Sequence, residues 1–144
     1  MEYNADCKKC TRLNHFLLKA KEKYPTYFCK PVPSFGDKEP GLLIVGLAPG
    51  MHGANNTGRP FTGDHAGILL YKTLFMFGFA SKSSSVSPDD GLTLKNCRIT
   101  NAVKCLPPEN KPTLEEVKSC SSFLRAELNN LPNNTIVLAL GLVA

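Results

Sequence analysis

The sequence predicts an α/β domain built on a parallel sheet with helices covering both faces. Two observations carry this reading. Short apolar runs closed by turn residues recur at 42–49 (LLIVGLAP), 97–103 (CRITNAV) and 135–141 (TIVLALG), and segments of helical character lie between them. A strand buried on both faces reads as a continuous apolar run rather than an alternating one. Strands separated by helices pair in parallel through right-handed crossovers. With 144 residues, 42% of them hydrophobic, the chain can close one core but not two, so residues 1–144 are read as one domain.

Taken in order, Leu13, Phe16, Leu17 and Ala20 recur at helical spacing among lysines, which predicts an amphipathic helix from Lys8 to about Lys23. Pro25, Pro31, Pro33 and Pro40 then forbid regular structure up to Gly41. The first strand follows, and after it a wide loop rich in Gly and Asn from Pro49 to Gly67. Residues 67–77 (GILLYKTLFMF) have the length and propensity of a buried helix, and the Ser-rich stretch through Pro88-Asp89-Asp90-Gly91 reads as a flexible connection. After the second strand, Pro107, Pro108 and Pro112 mark a rigid loop. Thr113 with Glu116 three residues later is a capping box that opens a helix running to about Leu128. TIVLALG is the third buried strand.

Seventeen Lys+Arg against twelve Asp+Glu give a net charge of +5, which favours a polyanionic partner without naming it. No apolar run approaches the ~20 residues that span a bilayer, and the N-terminus has no apolar stretch behind its charges, so a soluble intracellular protein without a membrane partner is expected. Six cysteines without a secretory signal are thiols or metal ligands rather than a disulfide framework. Cys7 and Cys10 form a C-x2-C pair; with the distant Cys105 and Cys120 they can converge on one iron–sulfur or zinc site. Cys29 and Cys97 are left as buried free thiols.

The polar residues Asn55, Asn56, Arg59, Asp64 and Asn101 fall at or just beyond the carboxyl ends of strands, where open α/β sheets bind ligands. The loop GLAPGMHGANNTGRPFTGDHAG is neither a dinucleotide fingerprint nor a Walker A motif. It offers glycines at 46, 50, 53, 58, 63 and 67, one cation at Arg59, one aromatic at Phe61 and one carboxylate at Asp64. Glycines let backbone N–H groups approach a ligand and prolines hold the loop in shape, which suits a flat base and its phosphates. Singly, such an Asp is a turn former, such a Phe is core, and Arg59 makes a surface pair. Their joint occurrence is what points to a site.

GLAPG-x-HGAN-x-TGRPFTGD-x-AG, TNAVKCLPPENKP, PVPSFGD, TLFMFGFA and the four cysteines, in that set, resemble the family 5 (type B) uracil-DNA glycosylases over nearly the whole chain. The related family 4 shares GRPF but typically carries an acidic residue where this chain has Leu47. The resemblance implies the three-layer parallel sheet of the uracil-DNA glycosylase type, a structural [4Fe–4S] cluster on Cys7, Cys10, Cys105 and Cys120 with zinc as the runner-up, and DNA containing uracil or other deaminated bases as substrate. No obligate protein partner is implied, and the protein is expected among the DNA of the nucleoid.

The resemblance implies Asp64 and Asn101 as catalytic residues, with Gly46, Ala48, Pro49, His52, Phe61 and Asn101 around the base. Phe61 would stack on the flipped base, worth roughly 1–3 kcal/mol. Asn101 would read the uracil edge with one acceptor and two donors. Asp64 would stabilise the cationic sugar or position the attacking water. Family members continue beyond the third strand with a helix, a fourth strand and a His-Pro-Ser loop, whereas His15, His52 and His65 are none of them followed by proline. The chain is therefore expected to be a truncated form lacking the last strand and helix, with 135–141 as an exposed edge. The alternative to a glycosylase is a catalytically dead DNA-binding module with a structural metal site.

Overall fold

The computed structural model describes residues 2–144. Four helices and four strands follow in order: α1 (Thr11–Lys23), β1 (Phe35–Gly36), β2 (Leu42–Gly46), α2 (Ala54–Thr57), α3 (His65–Met76), β3 (Cys97–Asn101), α4 (Leu114–Asn129) and β4 (Ile136–Ala139), with a short 3-10 turn at Pro108–Asn110. The sheet order is β1-β3-β2-β4. β2 pairs in parallel with β3, Leu42 opposite Cys97, and with β4, Leu42 opposite Ile136. The expected parallel sheet is thus present, with one amendment. Phe35 and Gly36 lie antiparallel on β3 in the proline-rich stretch that was expected to hold no regular structure. A pair this short escapes the proline veto because Pro33 and Pro40 flank it, and edge strands tolerate neighbouring prolines.

Alternation along β2 assigns its two faces. Ile44, with Cys97 and Ile99 of β3, packs under Tyr71 and Leu74 of α3. Leu43 and Val45 point the other way, toward Leu124 of α4. α1 closes over α4, with Leu13 against Val103, Cys120 and Phe123, and Leu17 and Ala20 against Cys29 and Leu106. This is the three-layer arrangement. On the α4 side, Glu127 gathers Lys104 Nζ at 2.8 Å, Thr100 Oγ1 at 3.0 Å and the Ser34 hydroxyl, so a buried ionic network fastens α4 to β3. Lys104 and its partners hold the Glu127 carboxyl below the usual carboxylate range even though burial alone would raise it. α4 begins as its sequence says: Thr113 Oγ1 accepts from the Glu116 N–H and the Glu116 carboxylate accepts from the Thr113 N–H.

Two expectations fail on burial. α3 is not a buried helix: Gly67, Tyr71 and Leu74 face the core, whereas Ile68, Leu69, Phe75 and Met76 are exposed. β4 is not a buried strand: all four of its residues are exposed, Ile136 at 67%. The physical reason is shared. Both elements turn apolar residues outward where no other described element packs over them. Among the described residues no helix is long and apolar enough to cross a membrane.

Candidate active site

β2 ends at Gly46 and the chain enters the loop that wraps back to α3. Asp64 occupies the N-cap of α3 in extended conformation, yet its side chain makes no cap bond. It swings instead onto the turn of residues 50–53. A Cβ on Gly53 would stand 1.6 Å from Asp64 Oδ1, and one on Gly50 2.6 Å from the same oxygen. Glycine at these two positions is therefore what admits the carboxylate. Burial pushes the Asp64 carboxyl above its usual 3.8, opposed only by a hydrogen bond from the Ala54 N–H. A half-buried anion with a single backbone donor retains much of its field for a ligand.

Phe61 sits opposite. Its backbone is left-handed, with φ +54, and its carbonyl is accommodated by Gly67, where a Cβ would meet it at 1.7 Å. The strained residue is over-determined by its neighbours. Tyr71 Oη donates to the Pro60 carbonyl at 2.6 Å. The Arg59 guanidinium, 5% exposed, pairs with Asp90 Oδ1 at 2.9 Å, donates to Ser85 Oγ and the Pro88 carbonyl at 3.0 Å each, and lies 4.3 Å over the Phe35 ring. Arg59 thus makes a buried pair rather than the surface pair a lone arginine would make, and the Ser-rich stretch read as a flexible connection supplies its partners. Asp90 also accepts the N–H groups of Val86, Ser87 and Leu92, so 85–92 folds around one carboxylate. Those donors and Arg59 outweigh the effect of burial and hold Asp90 well below the usual carboxylate range.

Asn101 ends β3 on the same face as Ile99, which brings it beneath Phe61. A Cβ on Gly46 would lie 2.5 Å from Asn101 Oδ1 and 2.6 Å from Phe61 Cζ, so all three crowd one slot. Asn101 is 4% exposed, and its Oδ1 is one of two buried side-chain oxygens without a partner among the described residues, the other being Asn55 Oδ1. An orphan buried acceptor calls for a donor.

A cleft of about 690 Å³ opens in front, lined by Leu47, Ala48, Gly50, Phe61, Asp64 and Asn110, with Leu69, Leu70 and Leu140 on its apolar side. Phe61, Asp64 and Ala48 are thus brought together. Gly46 and Asn101 stand behind Phe61, and Pro49 is buried. His52 stands outside this lining, its ring against Tyr24 and Tyr27. Asn110 was missed by sequence reasoning. It has φ +57, a conformation Asn tolerates better than most residues. A polar residue between prolines in PPENKP was the available signal.

The four cysteines also meet. Cys7, Cys10, Cys105 and Cys120 line one small cavity with Leu13 and Phe123, and no carboxylate or histidine shares it. Burial, then the neighbouring thiols, pushes Cys105 up to about 12. Cys10 and Cys120 are raised chiefly by burial, and the Lys104 N–H donates to Cys120 Sγ at 3.3 Å. Among the described residues no three such side chains stand close enough to hold a single ion as they are. Cys29 and Cys97 are buried free thiols, as expected.

The model of the uracil DNA glycosylase superfamily matches residues 33–144, which includes every strand and the whole cleft. The chain belongs to the uracil DNA glycosylase superfamily. Among its relatives in that superfamily, a type-5 uracil-DNA glycosylase of Pyrobaculum aerophilum is 46% identical over 143 residues, covering 96% of this chain and 63% of the relative. A type-5 uracil-DNA glycosylase of Thermus thermophilus is 49% identical over 118 residues, covering 82% and 53%. A type-4 uracil-DNA glycosylase of Pyrobaculum aerophilum is 36% identical over 133 residues, covering 90% and 60%. The chain thus spans between about half and two-thirds of the length of these relatives. The higher identity to the type-5 protein than to the type-4 protein of one organism agrees with the family resemblance read from the motifs and Leu47.

Proposed function

We propose that this chain supplies the catalytic cleft of a DNA-repair glycosylase that hydrolyses the N-glycosidic bond of uracil in DNA, with other deaminated bases as further substrates. The observation that carries the reading is Asp64, a lone carboxylate held by Gly50 and Gly53 in the wall of an aromatic-sided cleft. A nucleotide flipped from the duplex would enter that cleft and lay its base on Phe61. Asn101 Oδ1, buried behind Phe61 without a partner among the described residues, would suit the N3–H of uracil, a donor that cytosine lacks, once the Phe61 ring shifts to open the slot they share.

As the bond between C1′ and N1 breaks, its electron pair leaves with the base and positive charge gathers on the sugar. Asp64 meets that charge as an anion, or takes the proton of the water whose oxygen bonds to C1′. Asn110 lines the same cleft and would orient that water or the departing base.

Cys7, Cys10, Cys105 and Cys120 would hold a [4Fe–4S] cluster. The convergence of four thiols on one cavity that no carboxylate or histidine lines supports it. Four thiolates would satisfy the four irons of such a cluster, one on each, and zinc is the runner-up because the same four could also ligate a single ion. The group would staple the N-terminus to α4 and take no electron in a hydrolysis. The place of action would be inside the cell, on chromosomal DNA.

The test is a duplex with a single uracil incubated with the protein, then treated with alkali to cut abasic sites. Strand scission at the uracil and none at thymine is the expected result; intact strands would refute the proposal.

A further inference from the structure

Outside the cleft, the structure builds a second feature that the reaction does not use. The rings of Tyr24 and Tyr27 stack with centroids 4.5 Å apart and planes 13° from parallel. The His52 ring meets both edge-on, at 5.3 and 5.8 Å. Tyr27 Oη lies 2.9 Å from His52 Nδ1. Lys23 Nζ stands 5.4 Å from the Tyr24 centroid, and Lys21 Nζ donates to the Tyr27 carbonyl. Lys21 and Lys23 form the basic last turn of α1. Residues 19–30 hold four lysines against one carboxylate, Glu22, and all five of those side chains are exposed.

This shelf is fixed to the loop that carries the site. The N–H groups of Phe28 and Cys29 donate to the carbonyls of Asn56 and Asn55, each at 3.0 Å. The Phe28 ring fills the space over Gly58, where a Cβ would meet it at 2.8 Å. His52 belongs to the turn that holds Asp64, and its carbonyl borders Gly63. A rigid platform with lysines above it and a hydroxyl and an imidazole at its edge, beside a cleft that takes one nucleotide, has the chemistry of a strand-binding surface. If Tyr27 Oη donates to Nδ1, the His52 proton sits on Nε2, where it can be given to a phosphate oxygen.

We infer that the Tyr24–Tyr27–His52 shelf, with Lys21 and Lys23, binds the phosphodiester backbone of the DNA strand beside the extruded nucleotide. The inference rests on the glycosylase reading for its partner, but not on the cleavage chemistry. A phosphate contact carries no sequence information, so the shelf serves damaged and undamaged duplex alike.

The test is fluorescence anisotropy with labelled duplexes, with and without one uracil, over a series of salt concentrations. Lys23→Gln changes an exposed side chain and leaves the fold intact. It should weaken binding to both duplexes by roughly three- to tenfold and lower the slope of log Kd against log salt by about one. His52→Ala should weaken both equally. If the wild type binds and cleaves uracil DNA while both variants keep its affinity and slope, the shelf is refuted and the glycosylase reading stands. If cleavage is absent yet the variants lose affinity and slope, the shelf stands and the glycosylase reading falls. A wild type that binds neither duplex sinks both.

Discussion

Replacing Asp90 by alanine should destabilise the protein far more than its place in a Ser-rich surface stretch suggests. Arg59 is 5% exposed and Asp90 13%, and the pair is bonded at 2.9 Å. Without Asp90, the guanidinium stays buried with two neutral acceptors, Ser85 Oγ and the Pro88 carbonyl, and the N–H groups of Val86, Ser87 and Leu92 lose their acceptor. Breaking a buried pair from one side costs about 3–5 kcal/mol. The remaining acceptors and the wet edge of Asp90 put this case at about 3 kcal/mol, a large share of the ~5–15 kcal/mol that stabilises a domain. For a chain of this length the loss corresponds to a fall in Tm on the order of 10 °C. Arg59→Met with Asp90→Ala should cost less than the two single changes together, because no unpaired charge remains.

The pH dependence follows in sign. Asp90 has a lowered pKa when folded, so its contribution is present above the ordinary carboxylate range and is lost as pH falls below it. The acid limb of stability should therefore flatten in Asp90→Ala. Urea melts at several pH values measure all of this. A loss below about 1 kcal/mol, the range of exposed pairs, would refute the reasoning.

Gly53→Ala places a methyl 1.6 Å from Asp64 Oδ1 and must displace the carboxylate; cleavage should fall about as far as in Asp64→Asn, and an active Gly53→Ala enzyme in single-turnover assays would show the contact to be irrelevant. Cys105→Ser, which removes one thiol from the four-thiol cavity, should yield colourless protein without iron or sulfide from an anaerobic preparation in which the wild type should be brown; retention of both elements at wild-type levels would contradict the proposed ligand set. β4 is an edge strand of the sheet with exposed apolar side chains, the combination that templates association, so Ile136→Lys should reduce light scattering of the 144-residue chain at high concentration, and unchanged scattering would mean that another surface drives association.

What the sequence disclosed depended on how local each cause was. The capping box of α4 is decided within four residues, and it formed as read. The strands are short apolar runs whose pairing needs only helices between them, so their parallel order followed. Burial was harder, because GILLYKTLFMF and TIVLALG are apolar on every side and carry no mark of which neighbours arrive. At the site, Phe61 and Asp64 were legible as the loop's lone aromatic and carboxylate. The pairing of Arg59 with Asp90 spans 31 positions and joins a motif to a stretch with the composition of a linker. Asn110 and the shelf around His52 were hidden for a similar reason: each depends on where a turn points a side chain.

The central claim is that Asp64 acts on the transition state. The most direct measurement is single-turnover release of uracil from a duplex by the wild type and by Asp64→Asn, with DNA affinity and Tm recorded on the same preparations. Charge removal from a half-buried site that raises the carboxyl pKa should leave Tm at neutral pH unchanged or higher, because the folded state disfavours the anion there. DNA affinity should stay close to wild type, and the cleavage rate should fall by about 10²-fold or more, as for loss of an electrostatic stabiliser. An Asp64→Asn protein that cleaves at the wild-type rate, or that loses cleavage only because it no longer folds or binds DNA, would contradict the account.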